Sequence, residues 1–371
     1  MKTAFLYTNK YFAYDYGASH PLKIERLRLT YDLCTAYNLY SLPDAALIET
    51  TPASDSAFLR FHTGEYVEIL KGASPDRMTR ESSYGIGPGD NPVFPGLWEW
   101  SLLHTGASLQ CAELVSEGQV DVAFNIAGGL HHAGASKASG FCYANDPVLA
   151  IYHFVDLGKR VMYLDIDAHH GDGVQWAFYE DPRVLTVSFH QDGRTLFPGT
   201  GGIGEMGRGE GIGYSVNIPL LPGTDDYVFW EGFSAVVPML IERFRPDVVV
   251  SQLGVDTFLD DPLAALELTT NGFCKAITYL TEAGIPWVAL GGGGYNPANV
   301  ARAWTLAWAI MNGIDLPDDL PGSMTEPLSA QGLHGKKLRD AEHRSAWQEK
   351  SRHYMQKCLE YFETNVFPKI E

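Results

Sequence analysis

The stretch of the chain richest in chemically capable side chains is VMYLDIDAHHGDG, residues 161–173. A short apolar run leads directly into Asp165, Asp167, His169, His170 and Asp172. Burying an unpaired charge costs several kcal/mol per ion, so a folded core gains nothing from this pattern. The segment therefore predicts a buried strand that ends at a site where a ligand compensates for the charge.

A metal ion is the ligand that these residue types favour. Side chains two apart on a strand face the same side, so Asp167 and His169 can offer one oxygen and one nitrogen to the same ion. Asp256, just after the apolar run DVVVSQL, is the candidate third ligand. Two carboxylates and one imidazole leave an open coordination position, which is typical of catalytic zinc. The alternative is that these residues form turns or cap helices, and we prefer that interpretation for Asp260 and Asp261.

Two adjacent histidines, His131 and His132, follow another apolar run behind the pair Gly128-Gly129. Glycines let the backbone approach a ligand closely, and a histidine base needs an acceptor on its second nitrogen. Asp165 and Asp172 are carboxylates left over from the first segment. Two histidines and two carboxylates therefore suggest a proton-handling pair, although loop histidines are more often simply surface residues.

The run Gly291–Gly294 ends at Tyr295, after the apolar run PWVAL. No Lys-Ser/Thr pair follows, so the glycines are not a phosphate-binding P-loop. A tyrosine hydroxyl can donate to a developing oxyanion, but Tyr295 can also be plain core filler. The glycine-rich stretch 199–213 has neither a strand directly before it nor a helix opening from it, so we interpret it as a loop and not a nucleotide site.

The elements that must position these residues alternate along the chain. Six apolar runs predict buried strands at 3–7, 121–126, 160–166, 183–190, 247–253 and 286–290. Helical patterns are found at 20–37, 98–118, 225–244 and 296–313, and an amphipathic pattern ends the chain at about 340–368. This order predicts a mostly parallel α/β sheet with helices on both faces, and such sheets bind ligands at the carboxyl ends of their strands. Residues 313–340 are punctuated by Pro and Gly and are expected to run over the surface.

Composition limits the classes of protein and partner. The 371 residues are 45% hydrophobic, enough for a sizeable core, and the formal net charge is −18. That charge argues against direct nucleic-acid binding and favours cationic substrates. Five scattered cysteines fit a reducing compartment. The absence of a signal peptide and of an apolar run near ~20 residues predicts a cytoplasmic protein with no membrane partner.

Taken in order, eight blocks of the chain resemble the signature blocks of the zinc-dependent histone deacetylase family, specifically its class I-like branch that includes bacterial acetoin-utilization deacetylases. The blocks are HPLKIERLR, YGIGPGDNPVFPG, GGLHHAGASKASGFCYANDP, LDIDAHHGDGVQWAFY, LTVSFHQDGRTLFPGTG, YSVNIPL, QLGVDTFLDDP and LGGGGYNPANVARAW. They cover about residues 17–310. The resemblance implies the arginase/deacetylase fold, an eight-stranded parallel sheet flanked by helices, in one deacetylase domain over residues 1–371.

The resemblance also implies roles for individual residues. Zinc falls on Asp167, His169 and Asp256. The implied catalytic residues are His131, His132, Asp165, Asp172 and Tyr295, with Asp165 and Asp172 as partners of His131 and His132 respectively. The implied substrate-binding residues are the rim carboxylate Asp90, the aromatic walls Phe141 and Phe197, and Gly140 and Leu263 along the tunnel. Arg26 matches an arginine near an internal channel.

Potassium is the second cofactor that the resemblance implies, at one or two structural sites. The first lies around Asp165, Asp167, His169, Ser188 and Phe189. The second lies around Phe178, Asp181, Val184 and Tyr214. Many of the expected contacts are backbone carbonyl oxygens, which residue identity tests only weakly.

The implied reaction is hydrolysis of an acetyl-lysine amide, with other acyl groups as an open extension. His132 is favoured as the base, His131 as its acid or electrostatic partner, and zinc and Tyr295 as the groups that stabilise the oxyanion. Acetate and a free amine are the products. The sequence specifies neither the oligomeric state nor the acyl length.

Three alternatives remain open. An acetylpolyamine amidohydrolase would use the same chemistry on a small acetylated amine instead of a protein. A binuclear manganese ureohydrolase is disfavoured because Gly171 and Gly254 stand where its additional aspartates belong. A catalytically inactive binding module is disfavoured because every implied zinc and catalytic residue is present.

Overall fold

Eight short strands form one sheet in the computed structural model of the chain, in the order β2-β1-β3-β8-β7-β4-β5-β6 with every neighbouring pair parallel. The structure describes residues 1–74, 82–87 and 89–370, so Pro88 of the GPGDNP block lies outside the described residues. The strands are β1 Thr3–Tyr7, β2 Ala45–Glu49, β3 Val122–Asn125, β4 Val161–Asp165, β5 Val184–Gln191, β6 Ser215–Leu220, β7 Val248–Gln252 and β8 Trp287–Leu290.

Helices connect these strands and cover the sheet. Among the described residues they are α1 Glu25–Ala36, α2 Asp55–Phe58, α3 Gly64–Gly72, α4 Leu97–Ser116, α5 Asp146–Asp156, α6 Asp172–Ala177, α7 Asp226–Phe244, α8 Thr270–Glu282, α9 Pro297–Met311, α10 Gly322–Ala330 and α11 Gln348–Asn365. Single 3-10 turns occur at Asn9–Ala13, Leu39–Ser41, Ser82–Tyr84, Gly209–Gly211 and Phe367–Lys369. In this part of the chain, no helix is both long enough and apolar enough to cross a membrane.

The sheet is buried on both faces, as a parallel sheet requires. Alternate residues of β1 show this directly: Phe5 packs into the larger apolar cluster with α1, α7, α8 and α9, whereas Ala4 and Leu6 pack into a second cluster with α5 and the second half of α4. The predicted parallel sheet with helices on both faces is therefore confirmed.

The two strands that the sequence does not predict, β2 and β6, are the two edges of the sheet. Strand β2 is only partly buried, so its sequence AALIE is not selected for two apolar faces. Strand β6 contains Asn217 and Pro219, which interrupt its apolar run. An edge strand has a neighbour on one side only and tolerates proline there. Apolar periodicity therefore predicts the six inner strands and misses the two outer ones.

Residues 313–340 run over the surface as expected, since most of them are exposed or half-buried, but several apolar side chains anchor the segment to the core. Leu316, Leu320, Met324, Leu328 and Leu338 are all buried and belong to the larger cluster. Met324 and Leu328 come from α10 itself, and the other three come from the segments on either side of it. The C-terminal helix α11 also packs on this cluster through Met355, Cys358 and Phe362.

The strand order brings four loops to one place. Strands β3, β8, β7 and β4 are consecutive neighbours at the centre of the sheet. The loop after β3 carries His131 and His132, the loop after β4 carries Asp167 and His169, and the loops after β7 and β8 carry Asp256 and Tyr295. Because parallel strands all end at the same edge, these side chains share one region.

Candidate active site

The candidate metal cluster consists of Asp167, His169 and Asp256, all buried, whose ligand atoms lie within 4.8 Å of one another. His169 Nδ1 lies 3.1 Å from Asp167 Oδ1 and 2.9 Å from Asp256 Oδ2. The Asp167 and His169 side chains stay together because the His169 N–H donates to Asp167 Oδ1 at 2.9 Å in the turn after β4. Among the described residues, this is the one group of His, Cys, Asp or Glu side chains with metal-binding geometry.

The electrostatics of the cluster favour a cation. Burial and the neighbouring Asp167 carboxylate raise the pKa of Asp256 to about 6. Burial lowers the pKa of His169, but Asp167 and Asp256 outweigh it and raise that pKa to about 10. The protein thus places one positive imidazolium between two buried carboxylates. A divalent ion bound at these three side chains would displace the imidazole proton and balance both carboxylates, so the donor set fits zinc.

Gln252, at the end of β7, holds the outer side of the cluster, and the sequence patterns do not predict this role. Its side-chain amide donates to Asp167 Oδ2 at 2.6 Å, and the Gly293 N–H donates to the same oxygen at 2.8 Å. The Ala168 N–H donates to Asp256 Oδ1 at 2.7 Å. These bonds fix the orientation of both carboxylates. The only sign of this role in the sequence pattern is that a polar residue, Gln252, ends the apolar or small run VVVS.

The tandem histidines each contact their own carboxylate. His131 Nδ1 lies 2.7 Å from Asp165 Oδ2, and His132 Nδ1 lies 2.7 Å from Asp172 Oδ1. Their Nε2 atoms lie 3.0 Å from each other. Tyr163 also donates to Asp165 Oδ2 at 2.7 Å. The two histidines are therefore oriented separately and joined to each other by one hydrogen bond.

The two imidazoles have opposite electrostatic environments. Burial lowers the pKa of His131, but the nearby Asp165 and Asp167 carboxylates outweigh it and raise that pKa to about 9. Burial and then the charge of His131 lower the pKa of His132 to about 4, despite the opposing effect of Asp172. A neutral imidazole beside a charged one is an arrangement that separates a base from an acid.

Tyr295 lies beside the metal cluster, near the end of the loop that leads from β8 into α9. Its ring centroid lies 6.4 Å from that of His169 and 5.7 Å from that of Phe141. The Tyr295 N–H donates to Asp261 Oδ2 at 2.8 Å, and the Leu263 N–H donates to the other carboxylate oxygen at 2.9 Å. Asp261 does form a turn, as expected, but it also holds Tyr295.

One cavity joins these groups. Its lining residues are Leu22, Gly129, Leu130, His131, His132, Gly140, Phe141, Cys142, Asp167, Gln252, Gly292, Gly293 and Tyr295. The histidine pair and one member of the metal cluster, Asp167, thus line the same space.

The two aromatic wall candidates lie at different parts of the site, Phe197 beside His132 and Phe141 beside Tyr295. Gly140 and Phe141 both have positive φ angles, 50° and 70°, and this left-handed backbone is strained for phenylalanine. The Tyr16 hydroxyl donates to the Phe141 carbonyl at 3.1 Å, which helps to hold that conformation. Phe197 is 43% exposed and its ring centroid lies 5.1 Å from that of His132.

Three other candidates, Asp90, Leu263 and Arg26, are not among the described residues that line the cavity. Asp90 is exposed, and its carbonyl oxygen lies 3.2 Å from His20 Nε2. Leu263 is half-buried. Arg26 is buried and donates to the Gly294 carbonyl at 3.0 Å, directly before Tyr295.

The potassium candidates fall in two neighbourhoods. Asp165 and Ser188 are register partners on β4 and β5, next to Asp167, His169 and Phe189. Phe178, Asp181 and Val184 are linked by successive backbone hydrogen bonds, and the Tyr214 carbonyl pairs with the adjacent Thr186 at 2.9 Å. Both potassium sites stay predictions.

Comparisons with known proteins give one consistent result. The domain family described as "Histone deacetylase domain" matches residues 20–311. Histone deacetylase RPD3 of Saccharomyces cerevisiae is 41% identical over 323 residues, which is 86% of this chain and 74% of the yeast protein. Histone deacetylase 1 of Homo sapiens is 41% identical over 324 residues, 86% of this chain and 66% of the human protein.

Solved structures agree. A crystal structure described as an HDAC homolog from Aquifex aeolicus superposes with a TM-score of 0.89 at 35% identity, covering 97% of this chain and all of that one. A second structure, an HDAC homolog complexed with SAHA, has the same TM-score, identity and coverage. The fold predicted from the signature blocks is therefore confirmed.

Proposed function

Because the chain belongs to the histone deacetylase family and is a hydrolytic lysine deacetylase, we propose that it acts through one zinc ion held by Asp167, His169 and Asp256. The single observation that carries this proposal is the buried cluster of those three side chains, whose ligand atoms lie within 4.8 Å of one another and whose member Asp167 lines a cavity together with His131 and His132. When bound there, zinc would polarise the acyl carbonyl and lower the pKa of a water molecule.

His132 is the proposed general base. Its ring lines the cavity, and its centroid lies 5.9 Å from that of the ligand His169. Asp172 at Nδ1 orients the ring and leaves Nε2 directed at the reaction space and at His131. His131, tied to Asp165, lies 3.0 Å away, measured between the two Nε2 atoms, and is the charged electrostatic partner of the base. The pair can therefore accept the proton of water and return one to the leaving amine.

Tyr295 is the proposed hydrogen-bond donor to the carbonyl oxygen as that atom gains negative charge. Its backbone is fixed from two sides, by Asp261 at the Tyr295 N–H and by Arg26 at the Gly294 carbonyl. Both contacts act on the main chain and leave the phenol side chain available. Burial raises the pKa of Tyr295 well above its usual value, so the hydroxyl keeps its proton.

The proposed substrate is an acetylated lysine side chain of a protein. Phe141 and Phe197 form walls suited to the uncharged butyl stem, and Asp90 at the rim can accept hydrogen bonds from a peptide backbone. One solved structure that the chain resembles is that of an HDAC homolog complexed with SAHA. A hydroxamate on a linear stem is expected to inhibit this chain, because it can chelate zinc from within a narrow slot. Acetylpolyamine is the second candidate, favoured by the net charge of −18.

Two further assignments belong to the proposal. Potassium is expected at the two carbonyl-rich neighbourhoods around Ser188 and Asp181, as a structural ion. The cytoplasm is the expected compartment, since the four buried cysteines and the half-buried Cys274 are all free thiols.

A substrate panel tests the proposal most directly. Purified protein is assayed for acetate release from acetyl-lysine peptides, acetylpolyamines and longer-acyl lysine peptides, and its metal content is measured on the same preparation. We expect one zinc per chain, turnover of acetyl-lysine peptides, and inhibition by a hydroxamate. Preferential turnover of acetylpolyamines would show that the substrate is a small acetylated amine and not a protein. Bound zinc without turnover of any amide would support a binding module.

A further inference from the structure

The loop that carries His131 and His132 is held by the first residues of α5. The side-chain amide of Asn145 donates to the His131 carbonyl at 3.0 Å and to the Ala133 carbonyl at 2.9 Å. The Asp146 carboxylate accepts from the N–H groups of Gly129 and Leu130, each at 2.9 Å. Asn145 and Asp146, both fully buried, are called the clamp below.

The clamp is itself anchored to two other elements. Ser108 of α4 donates to Asp146 Oδ2 at 2.6 Å. Asn125, the last residue of β3, donates to Ser108 Oγ at 2.9 Å. All of these side chains are fully buried, where hydrogen bonds are strong and an unpaired group costs about 1–3 kcal/mol. The clamp therefore ties the histidine loop to a helix and a central strand.

Two glycines show how closely the clamp is packed. A Cβ atom at Gly128 would lie 2.5 Å from Asp146 Oδ2, and one at Gly173 would lie 2.6 Å from Asn145 Nδ2. Gly173 directly follows Asp172, the carboxylate partner of His132. Both members of the His132–Asp172 pair are thus positioned against Asn145.

We propose that Asn145 and Asp146 are positioning residues, whose bonds to the 129–133 backbone set the 3.0 Å contact between the histidine rings and their alignment with Asp165 and Asp172. This inference rests on the proposed role of the two histidines. Without the amide of Asn145, the carbonyls on both sides of His132 lose their donors and the peptide can rotate. A displacement of about 1 Å at a reacting group can cost about 10²-fold in rate.

Asn145 allows a specific test because the oxygen and the nitrogen of its side-chain amide bind different parts of the chain. Its Oδ1 accepts the Val148 N–H at 3.1 Å as the N-cap of α5, whereas its amide nitrogen holds the loop. Serine can replace the cap but not the amide, and alanine replaces neither. Asn145→Ser and Asn145→Ala therefore separate helix capping from loop positioning.

We expect both variants to lose about 10- to 100-fold in kcat on an acetyl-lysine peptide, with KM and zinc content near wild type. Only Asn145→Ala should also lose the cap, so its Tm should be the lower of the two. Thr63→Ala, which removes the N-cap contact of α3 with Tyr66, is the matched control. It should lower Tm without changing kcat.

If wild type is active, an equal activity of Asn145→Ser would overturn the inference, as would a loss of kcat that follows Tm in all three variants. Loss of zinc from Asn145→Ser would also overturn it. If the serine variant does not fold, Asp146→Asn, which removes one of two backbone acceptors, must give the same pattern of reduced kcat and retained zinc.

Crystal structures of wild type and Asn145→Ser separate this inference from the proposed function. An inactive wild type removes the proposed function but not the clamp. Displaced histidine rings in the variant support the clamp whatever the activity, and unmoved rings overturn it.

Discussion

The two halves of the candidate site solve the problem of buried charge in different ways. In the metal cluster, Asp167 and Asp256 share one imidazole, so two carboxylates face a single cation. In the histidine pair, each imidazole has a carboxylate of its own. The two carboxylates of the first half converge on one position that a bound ion can occupy, whereas each carboxylate of the second half is already taken up by its own ring.

The two halves of the site also differ in the atoms at which hydrogen bonds hold them. The metal cluster is held by hydrogen bonds to its carboxylates, from Gln252, Gly293 and Ala168. The histidine loop is held mainly through its backbone, by Asn145 and Asp146. Ligands must keep the direction of their oxygen lone pairs, while a proton relay must keep the spacing of two rings. Each half is supported at the atoms that its chemistry depends on.

Removing a metal ligand should have the largest effect. Without bound zinc, the histidine pair has no activated water molecule from which to take a proton. We expect His169→Ala to lose zinc and to lower kcat/KM beyond about 10⁴-fold, the upper range for one acid–base group. Zinc content and peptide deacetylation measured together check this. Asp319→Asn, at a carboxylate that is exposed on the surface, is the control and should keep both. An active, zinc-free His169→Ala protein would contradict the metal assignment.

Removing the base should damage only the proton half. We expect His132→Ala to keep zinc and lower kcat by about 10³-fold, within the range for general acid–base catalysis. Metal analysis and steady-state kinetics on one peptide give both quantities. Turnover at the wild-type rate would show that His132 is not the general base. Loss of zinc would show that the metal cluster depends on the histidine pair.

Tyr295→Phe should have a smaller effect, since it removes one hydrogen bond and no ligand. We expect kcat to fall about 10²-fold with KM nearly unchanged, because the bond strengthens as the carbonyl oxygen gains charge. The split between kcat and KM is the measurement. A rise in KM alone would mean that the hydroxyl binds substrate without assisting the reaction.

The smallest effect should come from Gln252, which supports a ligand without being one. We expect Gln252→Met, similar in shape but without the amide donor, to weaken zinc affinity about 10- to 100-fold. With saturating zinc its kcat should approach wild type. A competition titration against a chelator checks the affinity, and unchanged affinity would show that the 2.6 Å bond to Asp167 has no role in metal binding.

Some features were predictable because they are local. Asp167 and His169 are two residues apart after a buried strand, and His131 and His132 are adjacent after another, so backbone geometry alone keeps each pair together. Inner strands such as RVMYLDI show unbroken apolar runs because both of their faces are covered. The signature blocks then supplied assignments that spacing only suggested, such as the partnership of Asp172 with His132.

Other features were not predictable from local pattern. Gln252, Asp261 and Asn145 each carry a common polar side chain with an ordinary alternative role in a strand end, turn or cap. Their function depends on what lies opposite: Asp167, Tyr295 and His131. The buried side chains of residues 313–340 were missed for the same reason, since isolated leucines have no periodicity that reveals their contact with the core.

The sequence by itself determined which chemical groups are present and which are neighbours along the chain, because dihedral geometry fixes distances over a few residues. Only the tertiary structure decided that the loops after β3, β8, β7 and β4 lie side by side, although they come from distant parts of the chain. Strand order depends on how helices cover both faces of the sheet, and that is a property of the whole packed chain. It is this order that places Asp256 and Tyr295 beside His169.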